Sequence, residues 1–185
     1  MNLDLNAELE ARGGILRGHF QLASGRHADT YVEKFRILQW PDLTGALCAR
    51  IAERFRGSTN LVAGPTTGGV ILAFETARQL GLRAIIAERA DAGAGREFKR
   101  GFEIGPGDRV LVVDDVLTTG GSIRDVIDAV RRAGATVAGV GVMVDRSGGS
   151  IDFGVPFFAC LTLSIASWPP EECPLCHEGA ELIVT

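Results

Sequence analysis

The sequence predicts an α/β protein whose parallel sheet is covered by helices on both faces. Three observations carry that prediction. Leu61–Ala63, Arg83–Ala87, Val110–Val113, Thr136–Val144 and Phe157–Leu163 are short, largely continuous apolar runs rather than alternating ones. Helical patterns of about eleven to thirteen residues alternate with the strands. Gly/Thr-rich turns follow the carboxyl ends of strands, where sheets of this kind hold ligands.

Taken in order, Leu3–Ala11 spaces apolar and acidic residues as a helix does and stops at Gly13-Gly14. Leu16–Ala23 and Thr30–Ile37 read as two short strands around the turn Ser24-Gly25-Arg26-His27. Pro41 and Asp42 open a helix that runs to about Phe55, with Leu43, Leu47, Ile51 and Phe55 on one face. The strand Leu61–Ala63 leads through Gly64-Pro65-Thr66-Thr67-Gly68-Gly69 into a helix Val70–Leu80, closed by Gly81. After strand Arg83–Ala87, residues Glu88–Gly101 are polar, rich in Gly, Ala and Arg, and aperiodic, which reads as a loop. Gly105-Pro106-Gly107-Asp108 turns the chain into strand Val110–Val113, and a helix Ser122–Arg132 ends at Gly134. Strands Thr136–Val144 and Phe157–Leu163 complete the sheet. No repeat, low-complexity stretch or linker interrupts this pattern. The chain therefore reads as one domain over residues 1–185: an N-terminal appendage to residue 40, a core over 41–165 and a tail over 166–185.

Composition narrows the function. With 185 residues, 46% of them hydrophobic, the chain is long enough for a real core. A net charge of −4 leaves no footprint for nucleic acid or an anionic membrane. No apolar run reaches the roughly 18 residues of a membrane span, and the acidic N-terminus lacks a signal-peptide core. A soluble cytoplasmic protein is expected. The cysteines Cys48, Cys160, Cys173 and Cys176 do not suggest a disulfide framework. Cys173-Pro-Leu-Cys176 has the spacing of half a zinc site, but no second CxxC accompanies it, so these read as free thiols near a surface tail.

The strongest chemical signal is Val110–Ser122, VLVVDDVLTTGGS. Glycines let backbone N–H groups converge on an anion, hydroxyls add donors, and a helix N-terminus adds positive potential. Thr118-Thr119-Gly120-Gly121-Ser122 therefore suits a phosphate monoester. Asp114 and Asp115 repel phosphate but suit vicinal sugar hydroxyls or a metal held nearby. Together they point to a ribose 5-phosphate. No lysine follows Gly120-Gly121, which excludes a Walker loop, and no GxGxxG follows the first strand. Gly64–Gly69 repeats the strand–loop–helix context and suits a second anionic group. Arg89, Arg96, Lys99 and Arg100 form a basic stretch able to fold over a diphosphate.

VLVVDDVLTTGGS resembles the phosphoribosyl-diphosphate signature of type I phosphoribosyltransferases. Phe20-Gln-Leu-Ala-Ser24-Gly25-Arg26 with Tyr31 is similar to the N-terminal hood motif of the orotate phosphoribosyltransferases, and Val144-Asp145-Arg146 to the Asp-Arg pair after their fifth strand. GPTTGGV stands where they carry a diphosphate loop. CPLCHEG resembles the tail of a bacterial and archaeal subgroup. The resemblance implies a mostly parallel sheet with a small hood, a homodimer, and transfer of phosphoribosyl from 5-phosphoribosyl 1-diphosphate to orotate with Mg²⁺. The Mg²⁺ would be held mainly by donor diphosphate and water.

By position, the resemblance assigns the ribose hydroxyls to Asp114 and Asp115 and the 5-phosphate to Leu117, Thr118, Thr119, Gly120, Gly121 and Ser122, with Val116 beside them. Thr66, Thr67 and Gly68 fall on the diphosphate loop, and Arg89 matches an arginine that reaches the diphosphate. Arg146 would pair with the orotate carboxylate or ring oxygens, and Tyr31 and Val32 fall where the family presents aromatic residues to orotate. The family carries lysines where this chain has Ala23, Gly68 and Ala90. In the shortened loop Arg96, Lys99 and Arg100 are the cations available, Lys99 and Arg100 as catalytic candidates; Lys34 and Lys99 could compensate for the missing lysines, and Arg26 is a further substrate-binding candidate. His19 and His27 flank the hood hairpin as surface histidines, with His27 the one placed near a ligand. Asp145 is expected to orient Arg146 or a metal-bound water. Trp40 and Trp168 pack at element ends, and Phe153, Phe157 and Phe158 belong to the core. Two other readings remain open: a phosphoribosyltransferase for a purine base, and a non-catalytic sensor of the donor.

Overall fold

The computed structural model describes residues 5–91 and 93–185, so Leu3 and Asp4 of the expected first helix lie outside the described residues. Helix α1 (Leu5–Ala11) buries Leu5 and Leu9. Strands β1 (Ile15–Gln21) and β2 (His27–Val32) form an antiparallel hairpin whose register shifts between Arg17 and Phe20. The second strand stops earlier than expected. Glu33 accepts a hydrogen bond from the Phe35 amide and caps a short helix α2 (Lys34–Leu38), which buries Ile37 and Leu38. The residues read as a continuing strand had met a side-chain cap, which a period-two pattern does not register.

Helix α3 (Pro41–Phe55) starts on its proline and buries Leu43, Leu47, Ile51 and Phe55 as predicted. Strand β3 (Leu61–Pro65) runs into helix α4 (Gly68–Leu80), which ends at Gly81 in the left-handed conformation at φ 69°. Strand β4 (Arg83–Arg89) is followed by β5 (Arg96–Phe98), antiparallel to it and pairing Ala87 with Phe98 and Arg89 with Arg96. The stretch read as a plain loop is thus partly a hairpin, with a second strand too short to show a period. Strand β6 (Arg109–Leu117) extends past its apolar run, so Asp114 and Asp115 lie inside it. Helix α5 (Gly121–Arg132) and strands β7 (Thr136–Asp145) and β8 (Phe157–Thr162) follow. The tail is ordered: strand β9 (Ser167–Trp168), a 3₁₀ turn Pro170–Glu172, helix α6 (Pro174–His177) and strand β10 (Leu182–Val184).

These strands make two sheets. The larger has six strands in the order β5-β4-β3-β6-β7-β8, all parallel except β5. The smaller, the hood, has the order β10-β1-β2-β9 and closes the N-terminal hairpin with tail residues. Successive residues of β6 feed opposite core layers, as strand geometry requires. Leu111 and Val113 pack with α1 to α4, while Val110 and Val112 pack under α5. A sheet buried on both faces explains why its strands read as continuous apolar runs. Among the described residues no helix is long and apolar enough to cross a membrane.

Leu72 is 1% exposed and joins α4 to that first core layer. Leu72→Ala should therefore lower unfolding stability by about 2–5 kcal/mol, measured as a lower urea midpoint with an unchanged slope.

Candidate functional site

From β3 the chain moves one way to β4, then returns past β3 to place β6, β7 and β8 on the other side. The strand order reverses between β3 and β6, and crevices open at the carboxyl ends of strands at such a point. Two candidate loops leave those two ends: Thr66-Thr67 into α4 and Thr118-Thr119-Gly120 into α5. Their helices pack on opposite faces of the sheet, which leaves the gap between the loops open.

The β6–α5 loop is built as an anion cradle. Gly120 caps α5 at φ 79°, in the left-handed region, and a Cβ there would meet the Phe153 ring at 3.2 Å. The first amides of α5 have no intrahelical partner and face the loop. A cavity of about 190 Å³ is lined by Asp114, Val116, Leu117, Thr118, Thr119, Gly120, Gly121, Ser122 and Ile123. The residues expected on the phosphate are together, and Asp114 borders the same cavity.

Asp114 and Asp115 are 7% and 3% exposed. Adjacent residues of a strand face opposite ways, so the two carboxylates diverge. Asp114 lies on the α5 side and accepts a hydrogen bond from the Asp115 amide at 2.9 Å. Burial, and then the neighbouring Asp115 charge, push its carboxyl up to about 7. Asp115 accepts from the Val116 amide through Oδ1 at 2.6 Å. Its Oδ2 lies 2.9 Å from Lys34 Nζ, yet no donor is aligned on it. Lys34, at the start of α2, is therefore the cation paired with Asp115.

Lys34 accounts for one departure from the family pattern. A Cβ on Gly68 would stand 1.7 Å from Asp115 Oδ2, so no side chain fits there. The lysine expected at that position by resemblance is absent, and a lysine from another element meets the same carboxylate.

The β3–α4 loop exposes Thr66 and Thr67, and the peptide between them is cis. Arg96 fixes this loop. Its guanidinium donates to Thr66 Oγ1 at 3.1 Å, to Thr66 O at 3.2 Å and to Ala87 O at 2.9 Å. Burial holds its pKa below the usual arginine value. Arg96 is thus a brace for the loop, whereas sequence reading left it as a free loop cation. A cavity of about 580 Å³ opens between the β4–β5 hairpin and α5, lined by Arg89, Arg96, Gly121, Ser122 and Asp125 among others. Exposed Arg89 borders it.

Arg146 follows β7 and bonds through its amide to Leu117 O at 2.8 Å, beside the phosphate loop. Its Nε is buried without a partner. Burial pulls the guanidinium pKa down, against an opposing attraction from Tyr31. A buried donor with no acceptor is an open binding position. Asp145 acts one step removed: its carboxylate accepts from the Ser147 and Gly149 amides at 2.7 and 3.2 Å, which shapes the turn presenting Arg146.

Other expected positions lie elsewhere. Val32 has its side chain in the core, so Tyr31 alone of that pair is available to a ligand. Arg26 is tied to Ser167 Oγ at 3.1 Å and to the Ser167 carbonyl, which fastens the hairpin turn to β9. Lys99 pairs with Asp91 and with Glu97, the latter at 3.1 Å, and Arg100 forks onto Glu88 at 2.6 and 3.0 Å. Neither lines the two cavities. Sequence reading also missed a cluster in the hood. His19 and His27, expected at the surface, are buried beside Cys173 and Cys176.

The family description "Phosphoribosyl transferase domain" matches residues 36–170. A relative named orotate phosphoribosyltransferase from Caldanaerobacter subterraneus subsp. tengcongensis is 51% identical, over 91% of this chain and 88% of the relative. One of the same name from Pelotomaculum thermopropionicum is 48% identical, over 95% of this chain and 92% of the relative. The crystal structure of orotate phosphoribosyltransferase from Aeropyrum pernix superposes with a TM-score of 0.73 at 32% identity, covering 86% of this chain and 93% of that one. With its two loops at the strand switch and these relatives over nearly its whole length, the chain belongs to the phosphoribosyltransferase family.

Proposed function

We propose that the chain is an orotate phosphoribosyltransferase. It transfers the 5-phosphoribosyl group of 5-phospho-α-D-ribose 1-diphosphate to orotate, giving orotidine 5′-monophosphate and diphosphate. The observation that carries the choice of base is Arg146. Its buried, unpartnered Nε lies on the residue bonded to Leu117 of the phosphate loop. Orotate is an anion with a carboxylate, and a planar guanidinium fork is the group that pairs with one. A neutral purine can accept from a guanidinium through ring nitrogen or exocyclic oxygen, but it brings no carboxylate charge to pair with it.

The chemistry follows from positioning. The N1–C1 bond forms as the C1–O bond to diphosphate breaks, through a transition state with positive charge on the ribose. The loop Thr118–Ser122 holds the 5-phosphate, Asp114 and Asp115 take the ribose hydroxyls, and Arg146 with Tyr31 holds orotate. Thr66, Thr67 and Arg89 meet the diphosphate. The rate comes from alignment and charge, with no covalent nucleophile. Asp114 borders the phosphate cavity, where its carboxylate would accept from a ribose hydroxyl or a Mg²⁺-bound water. Mg²⁺ brought in with the donor would supply neutralisation of the leaving diphosphate.

The homodimer expected by resemblance is supported by an exposed apolar surface. Phe35, Trp40, Ile71 and Phe74 are exposed, Phe74 to 65%, around a groove lined by Leu38, Pro41, Thr44 and Val70. Phe74→Glu should shift the protein to monomer in light scattering after size exclusion. An unchanged mass would show that the surface is not the interface.

Incubation with orotate, donor and Mg²⁺ should consume orotate, read by its absorbance. Turnover only with adenine, hypoxanthine, xanthine or uracil would replace the orotate reading, and donor binding without turnover on any base would make the protein a sensor. Arg146→Ala should raise the KM for orotate more than that for the donor, by a loss on the order of 2–4 kcal/mol; the reverse order would remove Arg146 from the orotate site.

Asp114 sets a pH dependence. A carboxyl held near 7 is protonated below that pH and becomes a pure acceptor above it. Donor affinity should therefore rise as pH passes upward through about 7, followed by calorimetry. Asp114→Asn with Asp115→Asn should weaken donor binding and flatten that profile. The stability effect has the opposite sense. The folded-state pKa lies above the unfolded one, so this group's contribution is present at low pH and is lost as pH rises from about 4 to about 7.

A further inference from the structure

We propose that a structural zinc ion, held by His19, His27, Cys173 and Cys176, fastens the C-terminal tail to the hood. Each residue offers one ligand atom, and these atoms all lie within 4.8 Å of one another. His19 Nε2 is 2.9 Å from His27 Nδ1, 3.4 Å from Cys173 Sγ and 3.6 Å from Cys176 Sγ, and Cys176 Sγ is 3.3 Å from His27 Nδ1. With Zn–S of about 2.3 Å and Zn–N of about 2.0–2.1 Å, the edges of a tetrahedral site run about 3.3–3.8 Å. The three sulfur–nitrogen edges at 3.3, 3.4 and 3.6 Å fall in that range, and the His19–His27 edge is shorter at 2.9 Å.

Proton bookkeeping points the same way. His19 Nδ1 lies 3.0 Å from the Ala180 carbonyl, which only accepts, so Nδ1 carries the hydrogen. In the neutral ring Nε2 then keeps one lone pair. Three groups crowd that lone pair: His27 Nδ1, Cys173 Sγ and Cys176 Sγ. One acceptor does not satisfy three donors, whereas a cation at the centre takes a lone pair from all four ligands. A histidine that binds a metal through one nitrogen while the other donates to a backbone carbonyl is the usual supporting arrangement of a metal site. Two thiolates and two imidazoles in a tetrahedron favour zinc. All four ligands come from the protein, so no position is left open for chemistry.

The backbone is shaped to deliver these ligands. His19 and His27 come from neighbouring strands of the β1–β2 hairpin. Cys173 is fully buried and precedes the single turn of α6, where the His177 amide returns to Cys173 O at 3.3 Å. The Ala180 amide then returns to Leu175 O at 3.0 Å, which sets the Ala180 carbonyl on His19. Beyond it, β10 is a three-residue edge strand with all its residues exposed. So short a strand has little to hold it in place by pairing alone. The metal supplies the anchor.

The test is metal content and spectroscopy of the full chain. Protein stripped with a chelator and dialysed against Zn²⁺ should retain about one zinc per chain. Loading with Co²⁺ should give thiolate-to-cobalt charge transfer and tetrahedral ligand-field bands. Cys176→Ser, at the exposed ligand, and His27→Ala should each abolish those bands and cut zinc retention at least tenfold. Proteolysis after residue 178 should be accelerated in both variants and in the stripped protein. If the wild-type chain retains no zinc, or Cys176→Ser and His27→Ala retain it as well as wild type does, the site does not exist. Should a variant fail to fold, the wild-type metal content and cobalt spectrum decide the matter alone.

Discussion

The structure is organised around two carboxylates buried side by side within strand β6. Water cannot solvate them there, and a buried charge must find partners or give up its ionisation. Each follows a different course. Asp115 takes the Lys34 ammonium, which holds the start of α2 against the end of the sheet. Asp114 takes the next amide and is left with a carboxyl that resists ionisation. Everything near the two obeys this arrangement: residue 68 must be glycine, the hood must stay low enough for Lys34 to reach, and the β6–α5 loop must leave room beside Asp114. A ligand carrying hydroxyl donors is the chemical complement of such a pair.

The sheet and its two glycine-rich loops were legible because they rest on local rules. Continuous apolar runs report burial on both faces, and DDVLTTGGS reports a strand, an acidic pair and a helix start within one short segment. The turn after Val32 was harder to read because Glu33 ends the strand through a single side-chain hydrogen bond. Strand β5 was invisible because its residues pair only through their neighbour β4 and through the contacts of Arg96.

The roles of the cations were legible only in part. Sequence counts charges but does not say which acid each one meets. Lys34 meets Asp115 and Arg96 braces the Thr66 loop, while Lys99 and Arg100 face the acids of their own hairpin. The hood cluster was missed for a related reason. A CxxC half-site was plain, but its complement lies at the other end of the chain, 154 residues away between Cys173 and His19. No local pattern joins residues that only the closing of the hood brings together.

That closing sets an order of events for a chain made from its N-terminus. Strand β1 takes Leu182, Ile183 and Val184 alongside His19, Phe20 and Gln21. The β1–β2 hairpin therefore waits, with one edge unpaired, until residues 182–184 have been synthesised. Domains generally fold from the N-terminal side during synthesis, and an unpaired strand edge invites the wrong neighbour. The six-stranded sheet has no such dependence, since its strands all precede the tail. The hood is thus the sheet that is completed after the six-stranded one.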